Sequence, residues 1–79
     1  MSNKDIDGIR RAIRDPHMRG LFDAAYGAGW IASWKGSNHI CLRAPRPNGH
    51  YRVIMSATAV NGRAFENTRS YFRKGGLDV

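Results

Sequence analysis

Isoleucines at positions 6, 9 and 13 recur along one helical face and predict a first helix from about Asn3 to Arg14. Ser2-Asn3-Lys4-Asp5 fits a capping box at its start, with Asp as the reciprocating acid. Asp15-Pro16 then reads as a cap followed by proline at a first helical position. Met18, Leu21, Phe22 and Ala25 form a second stripe that ends near Gly27 and Gly29. The two stripes fit either one bent helix or two separate ones. From Trp30 the period changes. Trp30–Trp34 is aromatic and β-branched, His39–Arg43 alternates apolar with other residues, and Tyr51–Met55 does the same, so three strands are predicted. Gly36-Ser37-Asn38 and Pro45-Arg46-Pro47-Asn48-Gly49 carry the turn chemistry between them. Thr58–Val60 is a connector, and Asn61 can cap a last helix with Phe65, Thr68 and Phe72 on one face. Gly75-Gly76 closes that helix, and Leu77 can fold back against it.

The order is helix or helices, a three-stranded antiparallel meander, then a helix: an α+β domain with helices on one face of the sheet and the other face open. The predicted core is Ile9, Ile13, Leu21, Phe22, Ile40, Leu42, Val53, Phe65 and Phe72. Pairing across the second turn joins residues whose numbers sum to 95 or 97. Both sums are odd, so either way Ile40 and Leu42 share a face with Tyr51, Val53 and Met55, while His39, Cys41 and Arg43 share the other with Arg52, Ile54 and Ser56. The first set is more apolar and is expected to face the helices. A turn centred on Gly36-Ser37 would pair Trp34 with His39, a sum of 73, and place both Trp30 and Trp34 on the open face; the alternative is that one or both are core residues. His50 lies beside the second turn and His39 at the far end of the middle strand, about 15–20 Å away, so they cannot act as a pair within one subunit. His17, near a helix start, is expected at the surface.

Composition narrows the class. The 79 residues suffice for one small domain, 1–79, of which 1–15 is an N-terminal helical extension. Hydrophobic residues at 42% and charged residues at 24% fit a folded globular chain. One Cys excludes an internal disulfide framework, and the three scattered His suggest no metal site. No apolar run approaches a membrane span, and no basic start leads into an apolar signal segment, so an intracellular, cytoplasmic protein with no membrane partner is expected. Thirteen Lys and Arg against six Asp and Glu give a net charge of +7, which points to a polyanionic partner, nucleic acid first. The cations are spread along the chain, so any binding face must be assembled by the fold. Arginines predominate, and the planar guanidinium suits bidentate phosphate contact.

The segment Lys35-Gly36-Ser37-Asn38-His39-Ile40-Cys41-Leu42-Arg43 resembles the Gly-Ser-(Asn/His)-His signature of the HicA-like toxins, small RNA-cleaving proteins of toxin–antitoxin systems. Gly29-Trp30 is similar to the family's Gly-Trp before the sheet, and Asn61–Leu77 to its closing basic helix; the resemblance spans roughly Leu21 to Leu77. Where the family commonly has a Val-Pro-Arg-His type segment after the third strand, this chain reads Ile54-Met55-Ser56-Ala57-Thr58-Ala59-Val60, closer to phage-encoded variants. The resemblance implies a double-stranded-RNA-binding-domain-like fold, an endoribonuclease of the mRNA-interferase kind with His39 as its catalytic residue, and a HicB-like antitoxin as partner.

Elementary chemistry is consistent with that role. A histidine can take the ribose 2′-hydroxyl proton so that the oxygen attacks the adjacent phosphate, without a metal or other cofactor. Lys35, Arg43 and Arg52 are candidates to stabilise the charge that develops on phosphorus. Gly36 admits close backbone approach, Ser37 or Asn38 can donate a hydrogen bond, and Trp34 can stack on a base. Cys41 and His39 lie side by side on one strand and do not make a cysteine hydrolase. The expected molecule is an RNA-binding protein, monomeric or weakly dimeric. The alternatives are a non-catalytic nucleic-acid-binding module and a small phage-encoded factor that docks on a host protein.

Overall fold

The computed structural model describes residues 3–36, 38–60 and 62–79. Its elements are α1 (Asn3–Ala12), α2 (Pro16–Gly27), β1 (Ile31–Trp34), β2 (His39–Arg43), β3 (Arg52–Ser56) and α3 (Gly62–Lys74). The α+β order expected from the sequence is the one observed, with two separate N-terminal helices. The Ser2–Asp5 capping box, the Asn61 cap and Ser37 lie outside the described residues or side chains.

The break between α1 and α2 has a local cause. The Asp15 carboxylate accepts the His17 N–H at 2.9 Å, and Pro16 begins α2 with no N–H to lose. α1 ends at Ala12, short of the expected Arg14, because Arg14 turns away: its N–H donates to the Ala57 carbonyl at 2.9 Å. The Arg19 guanidinium caps the Ile13 carbonyl, and Arg10 grips both oxygens of Asp23, at 2.8 and 3.0 Å, across the helix pair. Through that hydrogen bond and its charge, Asp23 raises the Arg10 guanidinium above its ordinary pKa.

α2 and α3 end in the same way. The Gly29 N–H bonds the Tyr26 carbonyl and the Trp30 N–H reaches back to Ala25; likewise Gly76 bonds Arg73 and Leu77 reaches Phe72. Gly29 and Gly76 have φ of +96° and +99°, the left-handed conformation that this type of helix ending requires and that glycine adopts freely. The residue after each glycine, Trp30 or Leu77, is thereby turned into the core.

This explains why Trp30 is not on the open face. It is 3% exposed and meets Phe72 and Tyr51 edge-on, at centroid distances of 5.1 and 6.3 Å. It is the tail of a helix cap, and β1 begins one residue later. The buried Gly75 leaves room for these rings, and the Tyr51 hydroxyl donates to the Tyr71 carbonyl at 2.6 Å.

The sheet order is β1-β2-β3, antiparallel throughout. β2 pairs with β3 at a sum of 95, His39 opposite Ser56 through Arg43 opposite Arg52, within the parity expected. The connecting loop contains a cis Arg46–Pro47 bond and a Pro45–Asn48 turn. β1 pairs with β2 at a sum of 74, Trp34 opposite Ile40, because the Lys35 N–H bonds the His39 carbonyl and leaves the three residues 36–38 as the loop. One residue of difference from the expected 73 reverses the faces of β1. Ala32 therefore points inward with Leu42, while Ile31 and Ser33 point out. Trp34 lies on the helix side at the strand's end, beyond full cover and 45% exposed; it does not belong to the open face.

The core gathers Ile9, Ile13, Met18, Leu21, Phe22 and Ala25 from the first two helices, Ile40, Leu42, Val53 and Met55 from the sheet, and Phe72 from α3. Phe65, expected among them, is only partly buried and packs at the margin, edge-on to exposed His17 at 5.7 Å. α1 packs over β1, α3 over β3, and α2 against α3. α2 and α3 run in the same direction. Their starts meet around Asp15, Val60 and Gly62, and their ends around Ala28, Pro45 and Gly75. Among the described residues no helix is long and apolar enough to cross a membrane.

Candidate nucleic-acid interface

With the helices on one side, the other side of the sheet is open. Three rows cross it from β1 to β3. Ile31, Arg43 and Arg52 make the first, Ser33, Cys41 and Ile54 the second, and Lys35, His39 and Ser56 the third. All are exposed except Cys41 and Ser56, which are half-buried. Side-chain alternation carries each row's members to the same face. Ile31 and Ile54, at 45% and 41% exposed, give the face a thin apolar ground.

His39 stands at the head of β2 with its side chain in solvent. Two backbone bonds fix its place: its own carbonyl accepts from Lys35, and the neighbouring Asn38 carbonyl accepts the Ala57 N–H at 2.9 Å. The Lys35 position is therefore directly across from the imidazole on the same face. Gly36 and Asn38 are exposed in the loop beside it. Across β3, the Ser56 hydroxyl accepts the N–H groups of Thr58 and Ala59 at 3.3 and 3.2 Å, which commits it to the turn that follows the strand. Among the described residues, no other side chain is hydrogen-bonded to the His39 imidazole, and no three His, Cys, Asp or Glu side chains gather as metal ligands would.

The electrostatics have one sign. No Asp or Glu occurs between Asp23 and Glu66, a stretch that contains the whole sheet together with Lys35, Arg43, Arg46, Arg52 and Arg63. The described ion pairs, Arg10–Asp23 and Arg69–Glu66, belong to the helices. Among the described residues the sheet's cations have no ion-pair partner.

Of the residues singled out in the sequence, His39, Lys35, Gly36 and Asn38 come together at one end of the open face. Arg43 and Arg52 lie on that face at the other end. Four residue steps along β2 separate Arg43 from His39, about 14 Å of strand. Of these cationic positions Lys35 is the one beside His39, and Arg43 and Arg52 lie apart from it. Trp34 is on the opposite side of the sheet, so no indole is available for base stacking here. Ile31 and Ser33 join the face, and the sequence reading placed neither there. The missed signal is the loop length: three residues between Lys35 and His39 set the parity of β1. The acid-free run from Asp23 to Glu66 was also legible and marks the sheet as the cationic side.

No protein-family model, curated protein or solved structure matches this chain.

Proposed function

We propose that the protein binds RNA across the open face of its sheet and cleaves it at His39, as a metal-independent endoribonuclease of the HicA kind. The observation that carries this reading is a solvent-facing imidazole beside a lysine position, on a sheet face without a carboxylate. The α2–β1–β2–β3–α3 order agrees with the double-stranded-RNA-binding-domain-like fold that the sequence resemblance implies. The toxin role and an antitoxin partner follow from that resemblance.

In the proposed reaction the neutral His39 imidazole takes the proton of a ribose 2′-hydroxyl, and the oxygen bonds to the adjacent phosphorus. The Lys35 ammonium stabilises the added negative charge. The 5′-oxygen leaves with its electron pair and takes a proton from water, leaving a 2′,3′-cyclic phosphate on one product. A 2′-deoxy strand lacks the nucleophile and stays intact.

One observation favours a second reading. Among the described residues no side chain is hydrogen-bonded to the His39 imidazole to orient it, as a binding module without catalysis would allow. Wild type and His39→Ala, incubated with labelled RNA and assayed in parallel for binding, separate the two. Cleavage by wild type alone, with equal binding by both, supports the ribonuclease. Intact RNA with both proteins and undiminished binding supports the module.

A further inference from the structure

We infer that Arg43 and Arg52 form a phosphate-anchoring subsite separate from His39, so that the ligand is a polynucleotide strand running along β2 rather than a dinucleotide. The inference rests on the sheet-face reading for its occupant, but its structural basis is independent of catalysis.

Arg43 and Arg52 are direct cross-strand partners. The ladder bond from Ala44 to Tyr51 makes the next pair inward, Arg43 and Arg52, a non-hydrogen-bonded one. In such pairs the Cα atoms are only about 4.5 Å apart and the side chains closest. Two like charges placed directly opposite destabilise a sheet. No carboxylate lies on the face to relieve them, and among the described residues neither guanidinium has an ion-pair partner. The arginines border a depression of about 350 Å³ that Ile31, Ser33 and Cys41 also line. An anion in this depression turns the repulsion into attraction, and two guanidinium groups suit phosphate oxygens. Ser33 adds a hydroxyl donor. The arginine pair lies about 14 Å along β2 from His39, so a phosphate held between the two guanidinium groups at that end of the depression is a different one from a phosphate at His39. A strand that fills both positions must carry several phosphates.

The test uses 2′-deoxy oligonucleotides, which bind but do not react, from a dinucleotide to an octanucleotide. Wild-type affinity is expected to step up at the length that reaches the second position. Arg43→Ser and Arg52→Ser are each expected to remove the step, weakening the longer strands about tenfold, and to lower the salt slope by about one. Thermal unfolding at low ionic strength is the second readout. Each of these variants should melt about 2–4 °C above wild type, through relief of like-charge repulsion. Arg46→Ser, which removes the same charge from the loop, should not. A length step that survives in both variants, or equal stabilisation by Arg46→Ser, overturns the subsite. A length step that depends on both arginines, in a protein that leaves RNA intact, retains the subsite and rejects the ribonuclease.

Discussion

Tyr51 at the entry to β3 and Tyr71 in the last turn of α3 are joined by one hydrogen bond, 2.6 Å from phenol to carbonyl. It ties the returning hairpin to the end of the helix that covers it. Tyr51→Phe keeps the ring against Trp30 and Gly75 and removes only the donor. The expected loss is about 1 kcal/mol, the net worth of one such bond. A drop in unfolding temperature of about 4–8 °C, followed by circular dichroism, checks it.

Gly75 is occupied by its neighbours. A methyl group there would lie 2.5 Å from the Tyr51 ring and 2.7 Å from Trp30. The Trp30 ring is buried in the core and the half-buried Tyr51 ring is tethered by its bond to Tyr71, so neither swings clear as a flexible surface chain does. Gly75→Ala is therefore expected to cost on the order of 3 kcal/mol. Denaturant unfolding should show a lower midpoint with an unchanged slope. A Gly20→Ala control, at a position with nothing nearby, should show no such loss.

The two tryptophans report opposite environments. Trp34→Phe leaves Trp30 as the sole indole, 3% exposed, and its fluorescence should be blue-shifted and resist acrylamide. Trp30→Phe leaves Trp34, 45% exposed, which should be red-shifted and readily quenched. Comparable quenching in both single-tryptophan proteins would contradict the packing of Trp30 against Phe72.

Asp15 caps α2 from a nearly buried position, 8% exposed. Asp15→Ala should cost about 1 kcal/mol, and Asp15→Asn, which keeps the acceptor, much less. Chemical denaturation of the pair distinguishes loss of the cap from general disturbance of the helix junction.

Much of this architecture could be read from residue order. The Ile9-Ile13 and Leu21-Phe22 stripes gave the helices, and Asp15-Pro16 gave the break. The two faces of β2 and β3 were fixed because every plausible pairing sum across their turn was odd. β1 had no such protection. Its four residues are short and mixed, and the choice between sums of 73 and 74 depended on whether the loop held two or three residues. That choice decides whether Ala32 or Ser33 meets the core. Trp30 stays open between core and surface in the sequence for a different reason: Gly29-Trp30 reads locally as the start of a strand, whereas the glycine's positive φ makes it the end of a helix. The opposition of Arg43 and Arg52 follows from the sum of 95 alone, since a sum of 97 would set Arg43 opposite Ile54. Their separation from His39 emerges only when positions are measured along the strand.

The shared direction of α2 and α3 has its own consequence. Side by side and co-directional, their peptide dipoles add, giving a positive pole near Asp15 and Gly62 and a negative one near Ala28 and Gly75. The Asp15 carboxylate at the start of α2 tempers the first pole, and Arg73 and Lys74 in the last turn of α3 the second. The helical layer thus carries its own charge compensation, remote from the arginines of the sheet. The cationic surface can be thinned or reversed by substitution without disturbing the polarity that holds the layer behind it.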